Sequence, residues 1–201
     1  MESTNFKNYI VDIETKPRKE LVGLYTENIE APKNWKDKEK IDGYLSKALA
    51  TAGGDMQLDI DYADILCIGI MDCKTKEKKF VTLEEFDKLL NDECTLITYN
   101  GKGFDIPILI RALLRTGLTK NVKWLKSSCK KWSNFPQIDL MEVICDFGKW
   151  KGLDELCRIY LGTGKHSIDF ATASEEEIKK HNQECLETTY ELYNFFKPIV
   201  G

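Results

Sequence analysis

Residues 8–15 read NYIVDIET. Tyr9, Val11 and Ile13 alternate with Ile10, Asp12 and Glu14, the period of a β-strand. The strand is apolar at its start. Near its end Asp12 and Glu14, two residues apart, project from one face. Two carboxylates set among Val and Ile repel each other and lose hydration, so a positive partner is expected beside them. Mg²⁺ or Mn²⁺, hard cations with oxygen ligands, is the simplest such partner. The plain alternative is a pair of strand-end acids facing solvent.

A second segment, NGKGFDIPIL at 100–109, weighs against that alternative. It follows directly on a predicted strand at 95–99 and opens a predicted helix at 106–117. Pro107 suits the first turn of that helix and Gly117 its C-terminal cap. Gly101 and Gly103 are expected to supply positive φ and a close backbone approach. Asp105, at the helix start, reads either as an N-cap or as a third acid at the same strand end as Asp12 and Glu14. Phe104 reads as a core residue or as a wedge against a nucleobase.

The remaining elements fall into place around these two segments. Residues 64–73 and 79–82 form a predicted hairpin. Thr82 with Glu85 makes a capping box for a helix to residue 90. Short helices are expected at 140–147 and 153–161. Ser174 with Glu177 opens a last helix to about residue 197. Residues 16–62 differ in character, being Lys-rich with a Gly53–Gly54 pair that reads as a turn. Trp35, Ile41, Tyr44, Leu45, Ala48 and Leu49 recur there at near-helical spacing. The expectation is one α/β domain over 1–201, a mixed central sheet flanked by helices, with an insertion at 16–62.

Composition removes other classes. The chain has 201 residues, 42% of them hydrophobic and 31% charged, which is ordinary for a globular domain and too apolar for a disordered one. A chain of this length buries roughly 70% of its unfolded surface. No apolar run approaches the ~20 residues of a bilayer span, so no membrane partner is expected. The opening residues lack the pattern of a signal peptide, and a cytoplasmic location is expected. Seven cysteines without a C-x-x-C pair argue against both a disulfide framework and a zinc knuckle. A net charge of −4 speaks against binding nucleic acid by bulk charge alone. It leaves room for a nuclease, whose acids add negative charge.

VDIET (11–15) together with NGKGFDIP (100–107) resembles the first two motifs of the DEDD 3′–5′ exonuclease superfamily. The resemblance is strongest to the exonuclease domain of B-family DNA polymerases and its predicted stand-alone relatives. Asn100, Gly101, Phe104, Asp105, Pro107 and Arg111 carry the second motif. Ile138, Asp139, Leu140, GLDELCRIYLG (152–162) and Lys165 extend the match. The resemblance implies a ribonuclease-H-like fold and a two-metal site for Mg²⁺ or Mn²⁺. It implies Asp12, Glu14 and Asp105 as metal ligands and catalytic residues, and hydrolysis of terminal phosphodiesters at a single-stranded DNA or RNA 3′ end. It also implies a replication or repair partner.

The third motif of that superfamily is Tyr-x-x-x-Asp on the last helix. Here the fitting segment is HNQECLETTYEL (181–192), with His181 at the Tyr position and Cys185 at the Asp position. At about 100° per residue, Ile178, Cys185, Thr189, Leu192 and Phe196 form one inward stripe with His181 on its shoulder, while Glu187 lies nearly opposite. Three outcomes are open: loss of the fourth ligand and of activity, a working site with Cys185 as a poor ligand, or substitution by another acid such as Glu184. A thiolate matches Zn²⁺ better than Mg²⁺. His181 is the candidate general base, the alternative being a helix-face His bonded at the sheet edge. Candidate substrate contacts are Thr15, Asn100, Phe104, Trp124 and Lys126. The last two lie in a basic stretch with Lys123, Lys130, Lys131 and Trp132. Without catalysis, the same fold would be a nucleic-acid- or partner-binding module.

Overall fold

The computed structural model describes residues 7–90, 94–145, 149–164, 168–170 and 172–200. Its elements run β1 (Lys7–Pro17), α1 (Val22–Glu27), α2 (Lys38–Gln57), β2 (Ala63–Asp72), β3 (Lys78–Val81), α3 (Leu83–Leu89), β4 (Cys94–Thr98), α4 (Asp105–Thr116), α5 (Val122–Ser128), β5 (Gln137–Asp139), α6 (Leu140–Ile144), α7 (Leu153–Tyr160) and α8 (Glu175–Val200). A 3-10 turn, Lys19–Leu21, precedes α1. The sheet order is β3-β2-β1-β4-β5. β1 runs parallel to β4 and β4 to β5, while β2 and β3 are antiparallel. The fold is therefore α/β, with a mixed five-stranded sheet flanked by helices.

β1 is the middle strand, which explains its apolar character: Tyr9, Ile10, Val11 and Ile13 are all buried. Ile10 belongs to a core shared with Met71, Ile97, Ile138, Leu156, Leu186 and Leu192, so α7 and α8 pack on the face that also bears Asp12 and Glu14. Phe86, Leu109, Leu113 and Leu125 are fully buried where α3, α4 and α5 pack together.

The expected caps form. Thr82 and Glu85 bond reciprocally at the start of α3, and Ser174 and Glu177 do so ahead of α8. Gly117 ends α4 in the left-handed region at φ 79°.

Residues 15–66 make a compact unit of their own, and residues 1–14 with 67–201 make the other. In the first, the expected turn at Gly53–Gly54 is absent, because both glycines lie inside the 20-residue α2. The helix buries Ala52 and Met56 on either side of the pair, and that packing outweighs a cost of about 1 kcal/mol per glycine. The near-helical spacing of residues 35–49 falls on α2 from Ile41 onward, but not all of its apolar residues turn inward. Tyr44 and Leu49 are exposed, and Trp35 packs edge-on against Tyr44 under Lys40. Residues 118–136, whose sequence reads as basic and irregular, contain a short helix, α5. The end of the helix expected at 140–147 and Lys165 lie outside the described residues.

Candidate nuclease-type site

Register places the first acids. β1 pairs with β4 only as far as Ile10 opposite Ile97, and β4 ends at Thr98. β1 continues, so Asp12, Ile13 and Glu14 run alongside the turn that leads from β4 into α4. Parallel strands leave a crevice at their carboxyl ends, where ligands bind in open α/β sheets. Past the end of β4, the Ile13 N–H donates to Asp105 Oδ1 at 3.1 Å. Asp105 is thus not the N-cap of α4. Phe104 occupies that place, with no side-chain cap bond, and the Asp105 carboxylate reaches across to β1 instead.

Asp105 is buried. Burial first, and then the negative charge of Asp12, hold its carboxyl well above the usual carboxylate range. The Ile13 N–H opposes that shift without cancelling it. A dication stabilises two neighbouring carboxylates of this kind. By their oxygen chemistry, Asp12, Glu14 and Asp105 fit Mg²⁺ or Mn²⁺.

The turn itself is built differently from the sequence expectation. Neither Gly101 nor Gly103 has positive φ; Asn100 does, at 61°. Asn is among the few residues that tolerate this region. Gly101 is needed for space, because a Cβ there would lie 2.4 Å from the Thr98 side chain. The turn is fastened by Asp139 at the end of β5. Its Oδ1 accepts from the Asn100 N–H at 2.9 Å and from the Met141 N–H at 3.1 Å, and its Oδ2 accepts from the Lys102 N–H at 3.0 Å. Burial nonetheless raises the Asp139 pKa. Lys102 Nζ is buried and bonds Glu142 Oε2 at 2.7 Å and the Ser133 carbonyl at 2.8 Å.

α8 brings the remaining side chains to β1. His181 and Cys185, one turn apart, are buried, and one donor atom from each lies within 4.8 Å of the other and of a Glu14 oxygen. His181 also meets the Phe170 ring edge-on at 5.6 Å. Glu187 is on the exposed side, ion-paired with Lys78.

One neighbour was not anticipated. Asn182 Nδ2 donates to Asp12 Oδ2 at 2.8 Å and to the Asp12 carbonyl at 3.2 Å. The amide rests on Gly69 of β2, where a Cβ would lie 1.8 Å from Asn182 Oδ1. The sequence held two hints, a polar residue about 100° round the helix from His181 and a glycine inside an apolar strand.

The proposed substrate residues are dispersed. Phe104 is half-buried and Asn100 exposed, both on the turn beside the acids. Thr15, in the 15–66 unit, donates its hydroxyl to the Gln57 carbonyl at 2.7 Å. Trp124 and Lys126 sit on α5, a different element from the strand end and turn that carry the carboxylates. Trp124 is half-buried and Lys126 exposed.

Residues 48–198, well over half of the chain, match a family described as a predicted 3′–5′ exonuclease related to the exonuclease domain of PolB. The chain belongs to that family. Asp12 and Glu14 precede the matched residues, whereas Asp105, His181, Asn182 and Cys185 fall within them. Among solved structures, the family B DNA polymerase from the hyperthermophilic archaeon Pyrobaculum calidifontis is similar, with a TM-score of 0.59 at 14% identity. The match covers 96% of this chain and 25% of the polymerase chain, and at that identity it is a likeness of fold. A search of curated proteins returns no match. Among the described residues no helix is long and apolar enough to cross a membrane.

Proposed function

We propose that this member of the PolB-related exonuclease family is a divalent-metal-dependent 3′–5′ exonuclease acting on single-stranded DNA, with RNA as the competing substrate. The observation that carries the reading is the approach of Asp105 to Asp12 through the Ile13 N–H, where β1 runs past the end of β4.

Asp12, Glu14 and Asp105 would hold Mg²⁺ or Mn²⁺, which when bound polarises the scissile phosphodiester and activates water. Asn182 fixes the Asp12 carboxylate, and Ile13 fixes that of Asp105. The Asn100–Lys102 turn, tied down by Asp139, sets the start of α4 and hence the position of Asp105. His181 stands beside Glu14 as the base that takes the proton of the attacking water. Phe104 offers a ring against the terminal base. Trp124, Lys126 and the neighbouring lysines offer stacking and phosphate contacts further along the strand, and Asn100 and Thr15 offer polar contacts. The 1–201 chain works as one exonuclease-like domain with an insertion at about 16–62, in the cytoplasm and beside a replication or repair partner.

One observation favours a second reading, a nucleic-acid- or partner-binding module with weakened catalysis: a thiol, Cys185, stands next to Glu14 where the superfamily pattern has a carboxylate. A 3′-labelled oligonucleotide, as DNA or RNA, with Mg²⁺ or Mn²⁺ separates the two. Metal-dependent shortening that Asp12→Ala abolishes supports the enzyme. Cleavage that appears only in Cys185→Asp supports the module. Shortening that survives Asp12→Ala refutes the assignment of the site.

A further inference from the structure

Glu14, His181 and Cys185 come from two elements, the end of β1 and one face of α8, and their donor atoms all lie within 4.8 Å of one another. A tetrahedral ion with bonds of about 2.0–2.3 Å sets its ligand atoms about 3.3–3.8 Å apart. The three donors are thus within one small rotamer adjustment of that spacing. His181 and Cys185 stand at i and i+4, the spacing that lets two ligands on one helix face share an ion.

The donor types are selective. Mg²⁺ demands near-octahedral oxygen, and this triad supplies oxygen only through Glu14. Imidazole and thiolate favour Zn²⁺ and its neighbours in the first transition row. The charges also balance, since a carboxylate and a thiolate carry −2 against the +2 of the ion, with a neutral imidazole as third ligand. Three protein ligands and one open position is the pattern of zinc sites that accept water or substrate.

We propose that Glu14, His181 and Cys185 form a site for a borderline-soft divalent cation, with Zn²⁺ the best match. The proposal goes beyond the exonuclease reading, because a chain that cleaves nothing would still hold Zn²⁺ here. It also has a consequence for that reading. His181 bound to an ion cannot take a proton from water, so Zn²⁺ in the triad opposes cleavage supported by Mg²⁺.

Cys67 is the thiol that must be distinguished from Cys185. It lies against the Glu14 backbone but outside the group of three donors that lie within 4.8 Å of one another.

The test uses the full chain, stripped of metal with a chelator and titrated with Co²⁺, a coloured stand-in for Zn²⁺. The expected result is one equivalent bound with near-ultraviolet thiolate-to-cobalt absorption and the intense visible bands of a four-coordinate site. Zn²⁺ should bleach these bands, and a large excess of Mg²⁺ should leave them. Cys185→Ser should remove the near-ultraviolet band and weaken binding by at least ~100-fold, the upper end of what loss of even an outer-shell partner costs. His181→Gln should weaken binding while keeping that band at high Co²⁺, and Cys67→Ser should change neither. The proposal is overturned by a band that survives Cys185→Ser or disappears in Cys67→Ser, by absorption of six-coordinate type only, or by no stoichiometric binding to a chain whose circular dichroism shows it folded. Should Cys185→Ser fail to fold, Cys185→Asp makes the same spectral comparison. Oligonucleotide cleavage measured on the same samples reports separately on the nuclease reading.

Discussion

Gly69→Ala would drive a methyl group into Asn182. The added Cβ would lie 1.8 Å from Asn182 Oδ1, 2.9 Å from its Cγ and 3.0 Å from Leu186 Cδ1. β2 is an inner strand, with β1 on one side and β3 on the other, so Asn182 and α8 must give way rather than the backbone. Moving the amide breaks its bonds to the Asp12 carboxylate and carbonyl. Overpacking costs about 1–3 kcal/mol, and losing a hydrogen bond to a charged group about 1.5–3 kcal/mol. The alanine restores about 0.4–1 kcal/mol by restricting the unfolded chain. The net expectation is destabilisation by about 2–4 kcal/mol, a fall in Tm of roughly 5–15 °C for a chain of this size. Urea denaturation of Gly69→Ala, Asn182→Ala and the double variant measures it. Removing the Asn182 side chain also removes the clash, so the double variant should be more stable than the summed single effects by at least about 1 kcal/mol. A Gly69→Ala protein within about 0.5 kcal/mol of wild type, or effects additive to that margin, would refute the packing of Asn182 between Gly69 and Asp12.

Three further predictions follow from the same geometry. Asp139 has a raised folded pKa, so its stabilising contribution is full below the unfolded value near 4 and is lost as pH rises through the folded value. Asp139→Asn should flatten that part of the stability–pH profile. It should also cost about 1–3 kcal/mol at neutral pH, because an amide nitrogen cannot accept from the turn N–H groups, and an unchanged urea midpoint at all pH values would contradict this. Lys102→Met should destabilise by about 3–5 kcal/mol in thermal unfolding, because it leaves the largely buried Glu142 carboxylate without its ammonium partner. Phe104→Ala should weaken single-stranded oligonucleotide binding, measured by fluorescence anisotropy, by about 1–3 kcal/mol with little change in Tm; equal binding would remove Phe104 from the substrate path.

Local chemistry was legible in the sequence. The strand at 8–15, the two capping boxes and the Gly117 cap follow from side chains acting on their own backbone, and each forms. The one-face placement of Asp12 and Glu14 needs only the strand period, and the alignment of His181 with Cys185 needs only the helix period. Short-range rules misled where distant packing overrides them. Gly53–Gly54 is helical because α2 continues to bury Met56. Asn100, rather than a glycine, takes the positive φ, in a turn whose N–H groups are held by the carboxylate of Asp139, a residue 39 positions away.

The sequence by itself thus determined four of the five strands, most of the helices, the mixed α/β class and the chemical types available to a site, but not α1, α5 or β5. Only the tertiary structure decided which of those groups meet. The Ile13 N–H reaches Asp105 because β4 stops short of β1, across a separation of 92 residues. Asn182 reaches Asp12 because Gly69 leaves it room, across 170. Glu14 joins His181 and Cys185 because α8 packs over the end of β1. Strand pairing and close packing between segments far apart in the chain set these meetings, and neither leaves a periodic mark on any one segment.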